Sequence, residues 1–369
     1  RALVARDDAL QIGGDRALQR EGIDEITVLA AGFDARRQTE AAWRRCYFTR
    51  VTPDLDVALE AGREAVARAA AIDDRGWEVR ALVELALLLA DMGKTREASE
   101  HALAARDRAS ESHDGWLKAR ASATLGYALA ASGDLDAVLG HFDDAAAEFN
   151  RAGDLRREAA MHANAGSVML QMGRTHPAAE RLEEAVRLSR RVGNLAAVAV
   201  STHNLGVARR MLGALVAAAE LQAQAESLGA SLKHVRLASS VATERVYLAL
   251  AAGEGREALG GLAREASGRA AGARSPALTA SATAARLRVM ARADAPDPDL
   301  IAAARGLVRT LETDEGNLEL LVALWEADGR RTEDAAAVRA VLDRWVGRVR
   351  DPGGQRACRA AIEVRYFFS

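Results

Sequence analysis

Apolar residues recur with helical spacing in runs that each stop at a glycine. Gly93, Gly133, Gly173, Gly213 and Gly253 stand forty residues apart, each after such a run. A helix ends readily at a residue in the left-handed region, which glycine adopts without strain. A second row keeps the same period: Asp34, Asp74, Asp114, Asp154 and Asn194. Their side-chain oxygens can accept the orphan amides of a first helical turn. Gly153 and Gly193, just before two of them, end the preceding helix. Strictly alternating β-branched and aromatic runs are almost absent, so the predicted elements are helices.

Small residues form a third row inside the first helix of each pair: Gly126, Gly166 and Gly206, with Ala86 and Cys46 in phase. A mid-helix glycine costs about 1 kcal/mol relative to alanine, and close approach of a neighbouring helix is what offsets it. Ala98, Val138, Ala178, Ala218 and Ala258 sit where the second helix presses on the first. Asn164, Ala165 and Gly166 are answered by Asn204, Leu205 and Gly206. The pattern predicts helical hairpins repeated along the chain.

Small apolar positions around a turn glycine resemble the tetratricopeptide (TPR) repeat. The match is clear over 163–185 and 202–225, and fair over 82–105, 124–145 and 244–262. The common period is about 34 residues; the longer one here resembles the long-helix repeats of bacterial regulators and kinesin light chains. The resemblance implies an all-α fold, a right-handed α-solenoid of about eight hairpins, with first helices lining a concave groove. The expected organisation is a frayed first hairpin over 1–33, turning at Gly13 or Gly14, then regular repeats over 34–272. Thr52 and Pro53 stand in for one turn glycine. Divergent repeats follow over 273–350, with Arg274, Ser275 and Pro276 opening a helix, turns at 295–298 and Gly329, and a helix over 332–349. A break at 351–354 leads into a tail, 351–369. Within 316–359, Gly329, residues 335–337, Arg344, Arg348, Asp351 and Pro352 resemble the closing repeats of bacterial signalling proteins. Those join a kinase or cyclase, an AAA/STAND-type ATPase and a C-terminal TPR array, similar in plan to the maltose-regulon activator.

Composition narrows the function. The 369 residues are 49% hydrophobic and 28% charged but only 4% aromatic, so alanine carries much of the packing. A net charge of −2 argues against general affinity for nucleic acid or anionic membranes. No apolar run nears the roughly 20 residues that span a bilayer, and no signal-peptide pattern opens the chain. Cys46 and Cys358 lie far apart, which suits a reducing, cytoplasmic setting. The start at Arg1, without methionine, reads as a piece of a longer protein.

The candidate chemistry is recognition. Asn164 and Asn204 fall one repeat apart on the first helices. An asparagine amide can grip a peptide backbone at both its N–H and C=O, as such asparagines do in peptide-binding TPR proteins. The competing role is bracing a neighbouring helix. Arg80, Arg120, Arg210 and His203 would add positive charge and favour an acidic partner, opposed by Glu84, Asp91 and Glu244. Ser167 lies on the same face. Tyr127 and Tyr247 are stacking anchors or packed tyrosines; Trp77 and Trp116 read as staples onto the preceding repeat. The aromatic tail at 365–368 docks on a neighbouring domain or caps the last helix. No phosphate loop, metal-ligand pair or nucleophile signature is present, so no catalytic role, metal or cofactor is expected. The expected function is a protein- or peptide-binding sensor or scaffold. The alternative is a structural, autoinhibitory or oligomerisation arm packing on an attached ATPase, kinase or protease domain or on a second copy.

Overall fold

The computed structural model describes residues 2–13, 16–49, 55–92, 94–132, 134–273, 275–293, 297–309, 311, 314–329, 332–349 and 352–367. Gly14, Thr52, Pro53, Gly93, Gly133, Arg274, Ala295 and Asp351 lie outside them, as do the side chains of Asp91 and of residues 361–369. The described residues form 19 helices and no strand. The chain divides into two compact units, Arg1–Asp154 and Leu155–Ser369. The first holds α1 (Ala2–Gly13), α2 (Arg16–Ala30), α3 (Ala35–Thr49), α4 (Leu55–Ala71), α5 (Arg75–Asp91), α6 (Thr95–Ser110), α7 (Gly115–Ser132) and α8 (Leu135–Arg151). The second opens with α9 (Leu155–Gln171), α10 (Thr175–Arg191), α11 (Leu195–Met211), α12 (Leu215–Ser231), α13 (Val235–Ala252) and α14 (Arg256–Ala273). It continues with α15 (Pro276–Arg292), α16 (Pro298–Val308), α17 (Asp314–Ala327), α18 (Thr332–Val346) and α19 (Pro352–Phe367). Each odd helix up to α13 pairs with the even helix after it.

The caps explain where the helices start. Asp34 accepts the Arg37 amide, Asp74 those of Gly76 and Trp77, Asp114 those of Trp116 and Leu117, and Asn194 that of Ala197. His234 extends this row by one more period, its Nδ1 accepting the Leu237 amide. The stops are equally regular. Gly173, Gly213 and Gly253 have φ of 72°, 78° and 75°, the left-handed turn a helix end needs. The residue after each closes the turn, as in Arg174 N to Met169 O at 2.8 Å. Between hairpins the same conformation falls on Gly153 and Gly193, but also on Asp73 (φ 50°) and Lys233 (φ 52°).

Within the hairpins from α3–α4 to α11–α12, one position on the first helix meets the position sixteen residues on. A Cβ at Gly126 would lie 2.8 Å from the Phe142 ring, one at Gly166 2.7 Å from Leu182 Cγ, and one at Gly206 2.4 Å from Gln222 Nε2. Two hairpins before the first of these the sizes reverse: Gly62 takes the small role, its missing Cβ 3.3 Å from Cys46 Sγ. Ala86 and Ala102 share the task equally, both fully buried. A further row, Ala65, Ala105, Ala145, Ala185 and Ala225, has no exposed surface at all.

Two expectations shift. Ala258 is exposed, and Leu259 is buried in its place. The turn after Gly253 holds one more residue than its predecessors, so Gly255 rather than residue 254 supplies the first helical acceptor, to Leu259 N. Every later position of α14 moves by one: Ala266 takes the buried alanine site and Ala263 faces Val246 in one cluster. The segment after the break at 351 is not an irregular tail, for α19 runs from Pro352 through Gly353 and Gly354.

Two outcomes follow for stability. Gly206→Leu should cost about 1–3 kcal/mol by overpacking, read as a lower melting midpoint. Adding Gln222→Gly should restore part of it, as the reversed sizes at Cys46 and Gly62 suggest. Lys233→Gly should raise stability by about 0.5–1 kcal/mol, because the left-handed strain removed exceeds the entropy glycine brings; urea unfolding measures both.

Candidate functional site

In each unit the first helices also touch from one hairpin to the next, α3 on α5 on α7, and α9 on α11 on α13 on α15 on α17. They form the inner row on which the candidate residues lie.

In the first unit, aromatic rings and guanidinium groups alternate across α3, α5 and α7. Arg44 lies 5.8 Å from the Trp43 ring, and Trp43 meets Trp77 edge-on at 5.8 Å. Arg80 sits 5.7 Å from the Trp77 ring and 5.0 Å from that of Trp116, which Arg120 approaches at 5.8 Å. Trp116 is pinned by Nε1 donating to Asp154 at 3.2 Å, so it grips the following turn while stacking on the preceding repeat. The three cations fare differently. Arg44 pairs with Asp7 at 2.6 Å and with Glu40. Arg120 pairs at 2.5 Å with Glu84, which is 1% exposed. Arg80 has no hydrogen-bond or ion-pair partner among the described residues. Burial draws its pKa below the usual guanidinium range; Asp114 and Asp74 oppose this and Arg120 adds to it. A crevice of only about 10 Å³ separates these side chains. Tyr127, 38% exposed, lies edge-on to Phe142 at 5.3 Å.

In the second unit the inner row bonds to itself. Asn204 Nδ2 donates to Ser167 Oγ at 3.2 Å, and Ser167 donates to the Ala163 carbonyl. This is the bracing contact; the Asn204 carbonyl oxygen meets no donor among the described residues. Asn164 is partly buried one repeat earlier. Arg210 pairs with Glu244 at 2.5 Å and lies over the Tyr247 ring at 5.3 Å. The Tyr247 hydroxyl donates to Glu319 at 2.6 Å, and Ser281 donates to the other oxygen of that carboxylate. Trp345 of α18 donates to the Gln171 carbonyl at the end of α9, so the late helices of this unit return to its first.

His203 supplies no positive charge here. Its Nδ1–H points at Gln222 Oε1, 2.8 Å away, while Gln222 Nε2 donates to the His203 carbonyl. Burial holds its pKa below the ordinary imidazole value, with Gln222 and Glu244 opposing. Arg120 and Arg210 carry charge but are neutralised by Glu84 and Glu244. Of the four predicted cations, only Arg80 is left open.

Sequence reasoning missed these pairings, although a signal existed. The partners stand 34 to 38 residues apart, close to one repeat, as in Glu84 with Arg120 and Arg210 with Glu244. Ser281 and Glu319 keep that spacing, but Tyr247 lies 72 residues before Glu319, beyond one repeat. Glu158, His162 and Glu184 bring ligand atoms within 4.8 Å of one another. However, Arg181 lies 3.2 Å from His162 Nδ1, and Arg187 binds Glu184 and holds its pKa low. Those cations offset the charge a metal ion would need. An open cleft of about 610 Å³ lies among α14, α15 and α16, with Val289, Met290 and Leu300 among its lining residues.

No protein-family model and no curated protein matches the chain. Solved structures do. A Rap protein complexed with Competence and Sporulation Factor matches at a TM-score of 0.72 and 10% identity, over 94% of this chain and 98% of that one. The apo form of the quorum sensor NprR from B. thuringiensis gives 0.64 at 12% identity, over 93% and 97%. The STAND protein with a TPR sensor, PH0952 from Pyrococcus horikoshii, gives 0.58 at 14%, over 92% of this chain and 51% of that one. The fold is that of TPR-like helical repeats. No described helix is long and apolar enough to cross a membrane.

The depressed His203 pKa sets a pH response. The unfolded chain takes up a proton near pH 6.5 that the native site resists, so stability should fall as pH drops below about 6.5. Chemical unfolding between pH 7.5 and 5 should show a shallower fall for His203→Asn, by at most about 1.4 kcal/mol per pH unit.

Proposed function

We propose that this chain is a protein- or peptide-binding repeat module of a cytoplasmic bacterial signalling protein, its partner held on the inner row of first helices. The observation that carries this is the rack of Trp77, Arg80, Trp116 and Arg120. These are rigid, partly exposed side chains of the types that dominate binding energy at interfaces, and among the described residues their Arg80 has no hydrogen-bond or ion-pair partner. The Rap structure above is a complex with a factor, and NprR is described as a quorum sensor; both match the chain over nearly its whole length, which supports the reading. Asn164 and Asn204 would add backbone contacts, each worth about 1 kcal/mol, with the Asn204 carbonyl oxygen available to a peptide N–H. Tyr127 offers a further ring face. The plan of kinase or cyclase, ATPase and repeat array supplies the context, with this chain as the sensing end.

A second reading has its own support. The inner row of the second unit is closed by Arg210–Glu244 and Tyr247–Glu319, as befits a stiff arm that packs on an attached effector domain or on a second copy.

A displayed random-peptide library separates the two. Peptides selected on the wild-type chain should lose at least tenfold in affinity to Trp116→Ala while helicity by circular dichroism is retained. Selection of no peptide, together with concentration-dependent self-association, would favour the arm.

A further inference from the structure

The file of rings and cations in the first unit holds one guanidinium group with no hydrogen-bond or ion-pair partner among the described residues. Its sequence in space is Arg44, Trp43, Trp77, Arg80, Trp116, Arg120, and two of its three guanidinium groups are neutralised by the chain's own carboxylates. The two acids nearest Arg80 in charge are engaged elsewhere. Asp74 accepts the amides of Gly76 and Trp77 with one oxygen, and Arg36 stands 3.4 Å from the other. Asp114 accepts the amides of Trp116 and Leu117. Arg80 therefore keeps five N–H donors in a planar fork between two indole faces, with no hydrogen-bond or ion-pair partner among the described residues.

Resting on the peptide-binding reading, we propose that this rack takes the side-chain carboxylate of a glutamate or aspartate in an acidic peptide segment. A guanidinium fork and a carboxylate bond through two parallel N–H···O contacts. The flanking indoles suit the aliphatic stem that a glutamate carries and a bare anion lacks. A phosphate dianion would call for a second unmatched cation, which the file does not offer. The narrowness of the crevice keeps the contact at the surface, where a side chain can reach it. A whole-chain net charge of −2 means that general attraction for polyanions does not produce the effect.

The test uses the full chain and two fluorescein-labelled peptides, N-acetylated and C-amidated hexaglutamate and hexaglutamine, followed by anisotropy at moderate salt. Hexaglutamate should bind at least tenfold more tightly. Arg80→Gln should bring it to the hexaglutamine level. Arg80→Lys, which keeps the charge but not the fork, should lose about five- to tenfold and serves should Arg80→Gln fail to fold. Arg96→Gln, on the exposed face of α6, should change nothing. Equal binding of the two peptides, or hexaglutamate binding unmoved by both Arg80 variants, would overturn the proposal. So would displacement by inorganic phosphate alone at low millimolar concentration, which would mean a bare-anion site. Library peptides that need Trp116 yet ignore charge would leave the proposed function standing and remove only this inference.

Discussion

One packing constraint sets the geometry of the hairpins: at a single crossing point, at least one of the two side chains must be small. Cys46 meets Gly62, Ala86 meets Ala102, Gly126 meets Phe142, Gly166 meets Leu182 and Gly206 meets Gln222. The large partner can come from either helix, but both cannot be large, because the rows of fully buried alanines beside it already hold the backbones close. Interiors packed at this density transmit a misfit rather than absorb it. The α14 register makes the same point. One added turn residue moved Leu259, Ala263 and Ala266 into the sites that Ala258, Leu262 and Glu265 would have filled, and Val246 then met alanine. The helix slid along its sequence to keep the crossing point filled.

Close hairpins bring first helices near their neighbours, and polar side chains enter the seam between repeats. A buried charge without a partner costs several kcal/mol, so the seam must be paired. Glu84 with Arg120, Asn204 with Ser167, and Arg210 with Glu244 meet that demand, and Glu319 joins Tyr247 to Ser281. The same residues that look like recognition groups in a linear reading are therefore the ones the seam uses first. Among the inner-row cations described above, the seam leaves Arg80 over, and the proposed binding surface is built on it.

The sequence carried the fold well, because the features that define it are local. A cap, a left-handed stop and a mid-helix glycine each act within a few residues, and the forty-residue period repeats them. Asp74, Asn194, Gly173 and Gly206 were all legible for that reason. The sixteen-residue partners were legible in principle but not by residue type, since Phe142, Leu182 and Gln222 share a position and no chemistry. The site was less legible. Whether Arg120 is free depends on Glu84, one helix away, and whether His203 is charged depends on burial and on Gln222. These are facts about neighbours, and only spacing hints at them. Helix α19 was missed because two glycines beside a proline read locally as a break, whereas proline is well placed in the first turn of a helix.

The unmatched arginine also has to be reconciled with stability. A guanidinium stripped of part of its water and given no acid should weaken the fold, yet two indole faces stand beside it, and each desolvated cation–π contact returns about 0.5–2 kcal/mol. The rings thus hold the cation in place without neutralising it, which an aspartate at the same point would do. A carboxylate built into the chain would stabilise the seam and close the site. Trp77 and Trp116 stabilise the seam and leave the donors of Arg80 unsatisfied. In a fold where the other inner-row cations described above are paired, that substitution of rings for an acid is the local feature on which the proposed binding surface rests.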